Sequence, residues 1–128
     1  MSARAQQVVR EFWRVMNSND FEAASRCLTD DFRLHWPQSG EVVEGRSDFA
    51  AMNSAYPAAG LWTFDVRRIV GEGVQIVTEV GVSDGAVHAT ALTFHTVRGD
   101  LIALQREFWP DPFEAPAWRA AWVRLPRD

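Results

Sequence analysis

The N-terminal part of the chain repeats apolar residues at helical spacing. Positions i, i+3, i+4 and i+7 form one stripe of a first helix, made of Val9, Phe12, Trp13 and Met16. Asn19 or Asp20 can cap a second short helix, whose inward face would carry Phe21, Ala24 and Leu28. Ser47 can cap a third helix over residues 48–55, which ends before Pro57 because proline disfavours helical geometry in the preceding residue.

Period-two alternation replaces helical spacing elsewhere. Residues 32–36 send Phe32, Leu34 and Trp36 to one face of a strand. Four longer strands are predicted over residues 61–70, 74–82, 86–97 and 101–109, joined by glycine-containing turns typical of hairpins. The pattern predicts an α+β domain in which three N-terminal helices and a cone-like, curved antiparallel sheet enclose a hydrophobic pocket.

Composition fits one domain and excludes several classes of partner. A chain of 128 residues can bury a single core, so we expect one domain over residues 1–128. The net charge of −4, with scattered arginines and no lysine, argues against nucleic acid as a partner. No apolar run approaches the roughly 20 residues that span a bilayer, and Cys27 is the single cysteine. We expect a soluble, cytoplasmic protein with no membrane partner.

Three segments are similar to those of a known superfamily. They are NSNDF at residues 17–21, LTDDFRLHWP at 28–37 and LIALQREFWPDP at 101–112. In this order they resemble the SnoaL-like branch of the nuclear transport factor 2-like superfamily, over residues 5–113. The resemblance implies a homodimer and a pocket for a small hydrophobic, polyketide- or terpenoid-like molecule. Because this superfamily includes isomerases, polyketide cyclases, epoxide hydrolases and non-catalytic binding or assembly domains, fold alone does not choose between them.

The resemblance also implies that the catalytic groups of ketosteroid isomerases are missing. The tyrosine of that pattern falls on Phe12, the general base on Trp36, and the protonated acid of the oxyanion hole on about Leu92. None of these side chains can move a proton or stabilise an enolate. We therefore reject steroid isomerisation by that mechanism.

Glu79 is the first candidate for chemistry among the polar strand residues. Alternation groups it with Val77 and Gly81, and the count back from the turn at residues 84–85 suggests that this face lines the cavity. Burial there would raise the pKa of the carboxyl, which makes it a usable acid or base near neutral pH. The alternative is a salt bridge on the outer face or at a dimer interface.

Arg106 and His88 are the other catalytic candidates. Arg106 would pair with Glu79 and anchor a negatively charged ligand group if both point inward, or form a purely structural ion pair. If the strand phase is off by one residue, Glu107 takes the place of Arg106 in the pocket. His88 is a candidate proton carrier or a surface residue. The three histidines lack metal-binding spacing, so we predict no metal and no cofactor.

Aromatic and amide residues are the candidate ligand contacts. The predicted walls include Trp13, Trp36, Phe94 and Phe108, and the groups that could orient a carbonyl, hydroxyl or water are Gln38, Asn53 and Tyr56. Two hypotheses follow. One is a cofactor-free isomerase, cyclase or hydrolase in which Glu79 moves a proton and Arg106 stabilises negative charge. The other is a binding or assembly domain without turnover.

Residues 110–128 form a Pro/Trp-rich C-terminal extension, which contains four of the six prolines. We expect it to pack across the pocket mouth or against a neighbouring subunit, with Trp118 and Trp122 on a short helix after Pro116. A convex sheet face carrying Thr93, His95 and Trp109 would suit the homodimer that the resemblance implies.

Overall fold

The computed structural model describes residues 2–126, which form three α-helices, six strands and one 3₁₀ turn. The helices are α1 (Ser2–Met16), α2 (Phe21–Ser25) and α3 (Arg46–Ala55). The strands are β1 (Leu28–Trp36), β2 (Glu41–Glu44), β3 (Thr63–Glu72), β4 (Gln75–Ser83), β5 (His88–Arg98) and β6 (Leu101–Phe108), and the 3₁₀ turn is Ala117–Arg119. The predicted α+β class, with helices gathered in the N-terminal half and a curved, unclosed sheet, is confirmed.

The strands form one sheet in the order β2-β1-β6-β5-β4-β3. All neighbouring pairs are antiparallel except β1 and β6, which run parallel. The chain crosses from one edge of the sheet to the other between β2 and β3. Helix α1 contacts β3 to β6, while α3 contacts β1 and β2. The helices therefore cover a single face of the sheet, and the core lies between the two layers.

Helix α1 supplies much of that core. Its buried residues are Ala5, Val8, Val9, Phe12, Trp13 and Met16, so the predicted apolar stripe is confirmed. Burying each large side chain of this kind contributes about 1.5–3 kcal/mol relative to leaving it exposed. Asp20 caps α2, because its carboxylate accepts a 2.9 Å hydrogen bond from the Ala23 N–H. The helix layer is thus fixed on the sheet by both packing and capping.

Three element boundaries differ from the sequence prediction. Strand β1 begins at Leu28, because Leu28 pairs with Ile102 of β6, so residues 29–31 extend the strand instead of separating it from α2. Strand β2 was not predicted, since its four residues are exposed or half-exposed and show no apolar alternation. Helix α3 begins at Arg46 after Gly45, whose φ of +86° reverses the chain there, rather than after Ser47.

Candidate functional site

A cavity of about 140 Å³ lies between the helix layer and the sheet. Its lining is mostly aromatic and aliphatic and comprises Phe12, Trp13, Met16, Leu34, Trp36, Phe49, Met52, Asn53, Tyr56, Trp62, Phe64, Val82, Val87, Ala89, Gln105, Glu107 and Trp109. Helices α1 and α3 and all strands except β2 contribute to it. The polar groups in this lining are few, so each one constrains what the cavity can hold.

Three amide side chains fix aromatic walls by bonding to their backbone. Asn17 accepts from the Phe64 N–H at 2.7 Å and donates to its carbonyl at 2.8 Å. Asn19 does the same for Trp62, at 2.8 and 2.7 Å. Gln38 accepts from the Trp109 N–H at 2.6 Å and donates to its carbonyl at 3.2 Å. The NSNDF segment therefore positions the start of β3, and the turn after β1 positions the end of β6.

Asp84 organises the loop next to the cavity mouth. Its carboxylate accepts hydrogen bonds from the backbone N–H groups of Val87 at 2.7 Å, Ala59 at 2.8 Å and Ala86 at 2.9 Å. These bonds hold the pKa of Asp84 at about 2, since they favour the ionised form. The carboxylate ties the segment after α3 to the β4–β5 turn, which places Val87 in the lining.

Glu107 is a buried carboxyl group in the cavity wall. Its side chain accepts a 3.0 Å hydrogen bond from Trp36 Nε1 at Oε1 and a 2.6 Å bond from the Thr93 hydroxyl at Oε2. Burial raises the pKa of Glu107, and the hydrogen bonds from Thr93, Trp36 and Trp109 oppose that shift. No arginine or histidine stands among the described lining residues to compensate its charge. The site therefore favours the protonated acid more than water does.

A second buried polar group lies beneath the cavity. Trp13 Nε1 donates to Thr78 Oγ1 at 3.3 Å, and that oxygen lies 2.9 Å from His95 Nε2. On the other side of the ring, His95 Nδ1 lies 3.1 Å from Gln105 Nε2. Complete burial lowers the pKa of His95 to about 3, so the ring is neutral at pH 7. Gln105 joins this chain to the cavity lining.

The structure places the three predicted catalytic residues on the outer face of the sheet, so their expected inward orientation is wrong. Glu79 lies 3.8 Å from Arg68 across the β3–β4 pair, which matches the salt-bridge alternative. Arg106 is exposed and its guanidinium lies 5.2 Å from the Phe108 ring centre. His88 is exposed at the start of β5. None of these residues contacts the cavity, whereas Glu107, the alternative left by a one-residue change of phase, does.

Two of the predicted aromatic walls are also outside. Phe94 is 48% exposed, and its ring packs edge-on against Phe108 with centroids 6.1 Å apart. In contrast, Trp13, Trp36, Asn53 and Tyr56 line the cavity as predicted. Gln38 is not a lining residue and bonds instead to the backbone of Trp109, which is. The sequence predicted the helix and β1 contributions to the cavity, but reversed those of β5 and β6.

A β-bulge explains the reversal in β6. Val97 pairs with Ile102 and Thr96 pairs with Leu104, which leaves Ala103 as an extra residue in β6. Ile102 and Gln105 therefore both point inward although they are three residues apart. Counting in twos from the buried Ile102 leads to Arg106, whereas the bulge shifts the inward phase to Glu107.

In β5 the inner residues are less hydrophobic than the outer ones. The inward side chains include Ala91, Thr93 and His95, while Leu92 and Phe94 point outward. His95 packs there against the rings of α1, with the Phe12 and Trp13 centroids 6.3 and 6.1 Å away. The expected convex dimer face of Thr93, His95 and Trp109 is therefore wrong, as these residues face the core or the cavity.

The C-terminal extension does not cover the cavity with its tryptophans. Trp118 and Trp122 are 73% and 78% exposed, and the short helix predicted after Pro116 is a 3₁₀ turn.

Within residues 2–126 there is no group of three metal-binding side chains. No helix among the same residues is long and apolar enough to cross a membrane.

Comparisons with known proteins agree on the fold. Residues 9–105 match the model of the SnoaL-like domain family. A crystal structure of a candidate ketosteroid isomerase from Kribbella flavida has 27% identity and a TM-score of 0.87, with 98% of this chain and 93% of that chain covered. An NTF-2 like protein of unknown function from Burkholderia xenovorans has 32% identity and a TM-score of 0.78, with 98% of both chains covered.

A more distant structure shows the same fold alone. An LEH-like epoxide hydrolase from M. tuberculosis has 18% identity and a TM-score of 0.69, with 84% of each chain covered. A comparison with curated protein sequences found no match.

Proposed function

Because this chain belongs to the SnoaL-like domain family, we propose that its cavity binds a small hydrophobic molecule and that Glu107 transfers a proton to or from that molecule. The reaction class is a cofactor-free isomerisation, cyclisation or hydrolysis. The observation that carries the proposal is a buried carboxyl with a raised pKa in the wall of an aromatic cavity. Such a group holds a proton nearer to neutral pH than an exposed carboxyl does, which suits acid–base catalysis.

The surroundings of Glu107 leave it able to act. A carboxylate has about four acceptor positions, so hydrogen bonds from Thr93, Trp36 and Trp109 still leave one for a ligand. These donors fix the orientation of the carboxyl and stabilise its ionised form after a proton leaves. Glu107 therefore combines a favoured protonated state with a prepared conjugate base.

The position of Trp36 supports this role for its neighbour. The resemblance to ketosteroid isomerases puts the general base at residue 36 of β1, where this chain has a tryptophan that cannot take up a proton. The Trp36 indole instead donates to Glu107 on the adjacent strand β6. We infer that β6 supplies the carboxyl that β1 lacks.

Cavity size restricts the substrate. About 140 Å³ is well below the roughly 300–1,000 Å³ of pockets for drug-sized ligands. It is close to the roughly 150 Å³ of an apolar cavity that admits benzene. We propose a substrate with one ring, such as a monocyclic terpenoid-like or short polyketide-like molecule, with a carbonyl, hydroxyl or epoxide oxygen that Asn53 or Tyr56 contacts.

The test uses a panel of monocyclic ketones and epoxides of this size. Exchange of the α-protons of cyclohexanone in D₂O, followed by ¹H NMR, reports proton abstraction, and hydrolysis of cyclohexene oxide reports water activation. Glu107→Gln should reduce the catalysed rate about 100-fold or more, since general acid–base catalysis contributes that much. Glu72→Gln, at an exposed carboxyl at the end of β3, should stay within twofold of the unmodified protein.

The competing function is binding without turnover. If panel members bind but neither exchange nor hydrolysis exceeds the uncatalysed rate, the protein is a binding or assembly domain and Glu107 is a structural acid. If Glu107→Gln is folded and still turns over substrate, a group other than Glu107 carries out the proton transfer.

We also propose that the protein is a homodimer formed through the outer face of the sheet. Exposed apolar residues gather there, with Val70, Phe94 and Leu104 at 53%, 48% and 41% exposure. Val70 and Phe94 both pair with Val77, so they belong to one continuous surface across β3–β5. Sedimentation should give twice the monomer mass for the unmodified protein and a monomer for Phe94→Arg. A monomer at all concentrations for the unmodified protein would contradict the proposal.

A further inference from the structure

We propose that Gln105, held in place by His95, is a hydrogen-bond acceptor in the cavity that selects ligands carrying an O–H or N–H donor. This inference shares the cavity of the proposed function but concerns recognition rather than proton transfer. It rests on the direction of the hydrogen bonds that link Gln105, His95 and Thr78 beneath the cavity.

The placement of the Gln105 amide sets the direction of the chain at the histidine. Gln105 Nε2 can only donate, so its 3.1 Å contact makes His95 Nδ1 the acceptor. A neutral ring with an accepting Nδ1 carries its proton on Nε2, and that N–H donates to Thr78 Oγ1 at 2.9 Å. Thr78 Oγ1, with two acceptor positions, also receives the Trp13 indole N–H at 3.3 Å. The ring is thereby held between β4 and β6.

Burial keeps this direction from reversing through protonation. His95 is fully buried and its pKa falls to about 3, so the doubly protonated ring that would repel the Gln105 amide nitrogen is absent at neutral pH. The ring is also packed between the Phe12 and Trp13 side chains of α1, with centroids 6.3 and 6.1 Å away. His95 therefore acts as a rigid positioning residue for the amide.

With its nitrogen on His95, Gln105 presents its oxygen to the cavity. The side chain is 2% exposed and lines the cavity, and Oε1 accepts no hydrogen bond from another residue in the described part of the chain. Every fully enclosed side-chain oxygen or nitrogen in residues 2–126 has a hydrogen-bond partner. Because Oε1 accepts none, it is not fully enclosed and borders open space. In a mostly apolar cavity, an acceptor that is held in one orientation favours a ligand that carries a donor.

The position of Gln105 relative to Glu107 defines what it would recognise. The two residues are two apart on β6 and point to the same side, so their side chains stand about 7 Å apart along the strand. A single-ring ligand can span both groups, with its donor on Gln105 and its reacting atom at Glu107. The ligand class is therefore a single ring that carries an O–H or N–H donor in addition to the carbonyl or epoxide group at which Glu107 would act.

Pyrrole and furan test the proposal, because these single rings have nearly the same shape and differ in an N–H donor against a ring oxygen. Isothermal titration calorimetry with each ligand should show that pyrrole binds roughly three- to tenfold more tightly, as expected for one net hydrogen bond. Gln105→Met keeps the length of the side chain and removes the amide, so the preference should disappear while furan affinity changes less than twofold.

His95 gives an independent test of positioning. His95→Phe keeps a ring between Phe12 and Trp13 but removes the Nδ1 acceptor, so the preference for pyrrole should fall although Gln105 is still present. His95→Asn restores an acceptor oxygen near the position of Nδ1 and should recover part of the preference. In the unmodified protein, ¹⁵N NMR should show the Nε2-protonated tautomer of His95, a measurement that requires no variant.

Several results would overturn the inference. They are equal affinity for the two ligands, tighter binding of furan, binding of neither ligand, an unchanged preference in Gln105→Met, or an Nδ1-protonated His95. The proposed catalysis fails separately, when Glu107→Gln leaves turnover intact. A protein that prefers pyrrole through Gln105 and has no turnover would thus retain this inference and lose only the enzymatic function.

Discussion

The inner and outer faces of strands β4 to β6 carry the same kinds of side chain in different environments. Glu107 on the inner face is buried and bonded by neutral donors, whereas Glu79 on the outer face is partly exposed beside Arg68. His95 inside is fully buried, and His88 outside is exposed. The glutamate and the histidine of the inner face are therefore buried and held in place by hydrogen bonds, whereas those of the outer face are open to solvent.

Burial without a neighbouring opposite charge is therefore what makes a carboxyl group useful as an acid or base in this fold. An arginine beside a carboxylate stabilises the ionised form and reduces its use as an acid, while indole and hydroxyl donors orient the group and leave proton exchange possible. The helix layer creates the contrast, because α1 covers the inner face of β3–β6 and leaves the outer face open. Four comparisons between the faces test it, each with a variant on either side.

The largest difference is expected for aromatic truncation. Phe12→Ala removes a ring that is 1% exposed, so it should lower the free energy of unfolding by about 3–5 kcal/mol. Phe94→Ala removes a ring that is 48% exposed and should cost less than about 1 kcal/mol at a protomer concentration too low for dimerisation. Urea unfolding measures both. Equal losses would mean that the outer face is as well packed as the core.

The histidines should differ in the pH dependence of stability. The pKa of His95 is about 3 in the folded protein and near 6.5 when unfolded, so between these values the unfolded chain binds more protons. Its contribution is therefore complete above pH 6.5 and is lost as the pH falls, at up to about 1.4 kcal/mol per pH unit. Urea unfolding from pH 7 to 4 should show a slope that His95→Gln reduces and His88→Gln retains.

Glu107 contributes to the same experiment with the opposite sign. Because its pKa is raised on folding, its contribution is complete at low pH and is lost as the pH rises through the folded value. The difference between the unmodified protein and His95→Gln removes this shared term. If that difference is flat with pH, His95 is not a buried neutral ring.

The threonines of β5 should differ by a smaller amount. Thr93→Val removes the hydroxyl that donates to Glu107 at 2.6 Å and should cost about 1–2 kcal/mol. It should also raise the pKa of Glu107, because that bond favours the ionised form, and ¹³C NMR of the side-chain carboxyl measures this. Thr90→Val, which loses an outer contact from Arg67 at 3.2 Å, should stay within about 0.5 kcal/mol. A pKa of Glu107 that falls or stays fixed in Thr93→Val contradicts the assignment.

Sequence patterns were sufficient for the fold and for part of the cavity. The stripe on α1 fixed which face of that helix is buried, and its Trp13 lines the cavity as expected. Strand orientation was not predictable in the same way. The bulge at Ala103 has no sequence marker, and in β5 Leu92 and Phe94 make the outer residues more hydrophobic than the inner ones. The inner position of His95 is explained by the Phe12 and Trp13 rings of α1, which are distant in sequence.

The smallest effect is expected at Glu79, and it decides which face carries the chemistry. Its 3.8 Å contact with Arg68 is largely exposed, with 34% and 73% of the two side chains accessible, so Glu79→Gln should change the free energy of unfolding by less than about 0.5 kcal/mol. Turnover of any substrate found in the panel should stay within twofold, since the carboxyl does not contact the cavity. Steady-state rates of Glu79→Gln and Glu107→Gln, measured under the same conditions, compare the outer and inner faces of the sheet directly. A large loss in Glu79→Gln with normal stability would move the reaction to the outer face, where Arg106 and His88 also lie.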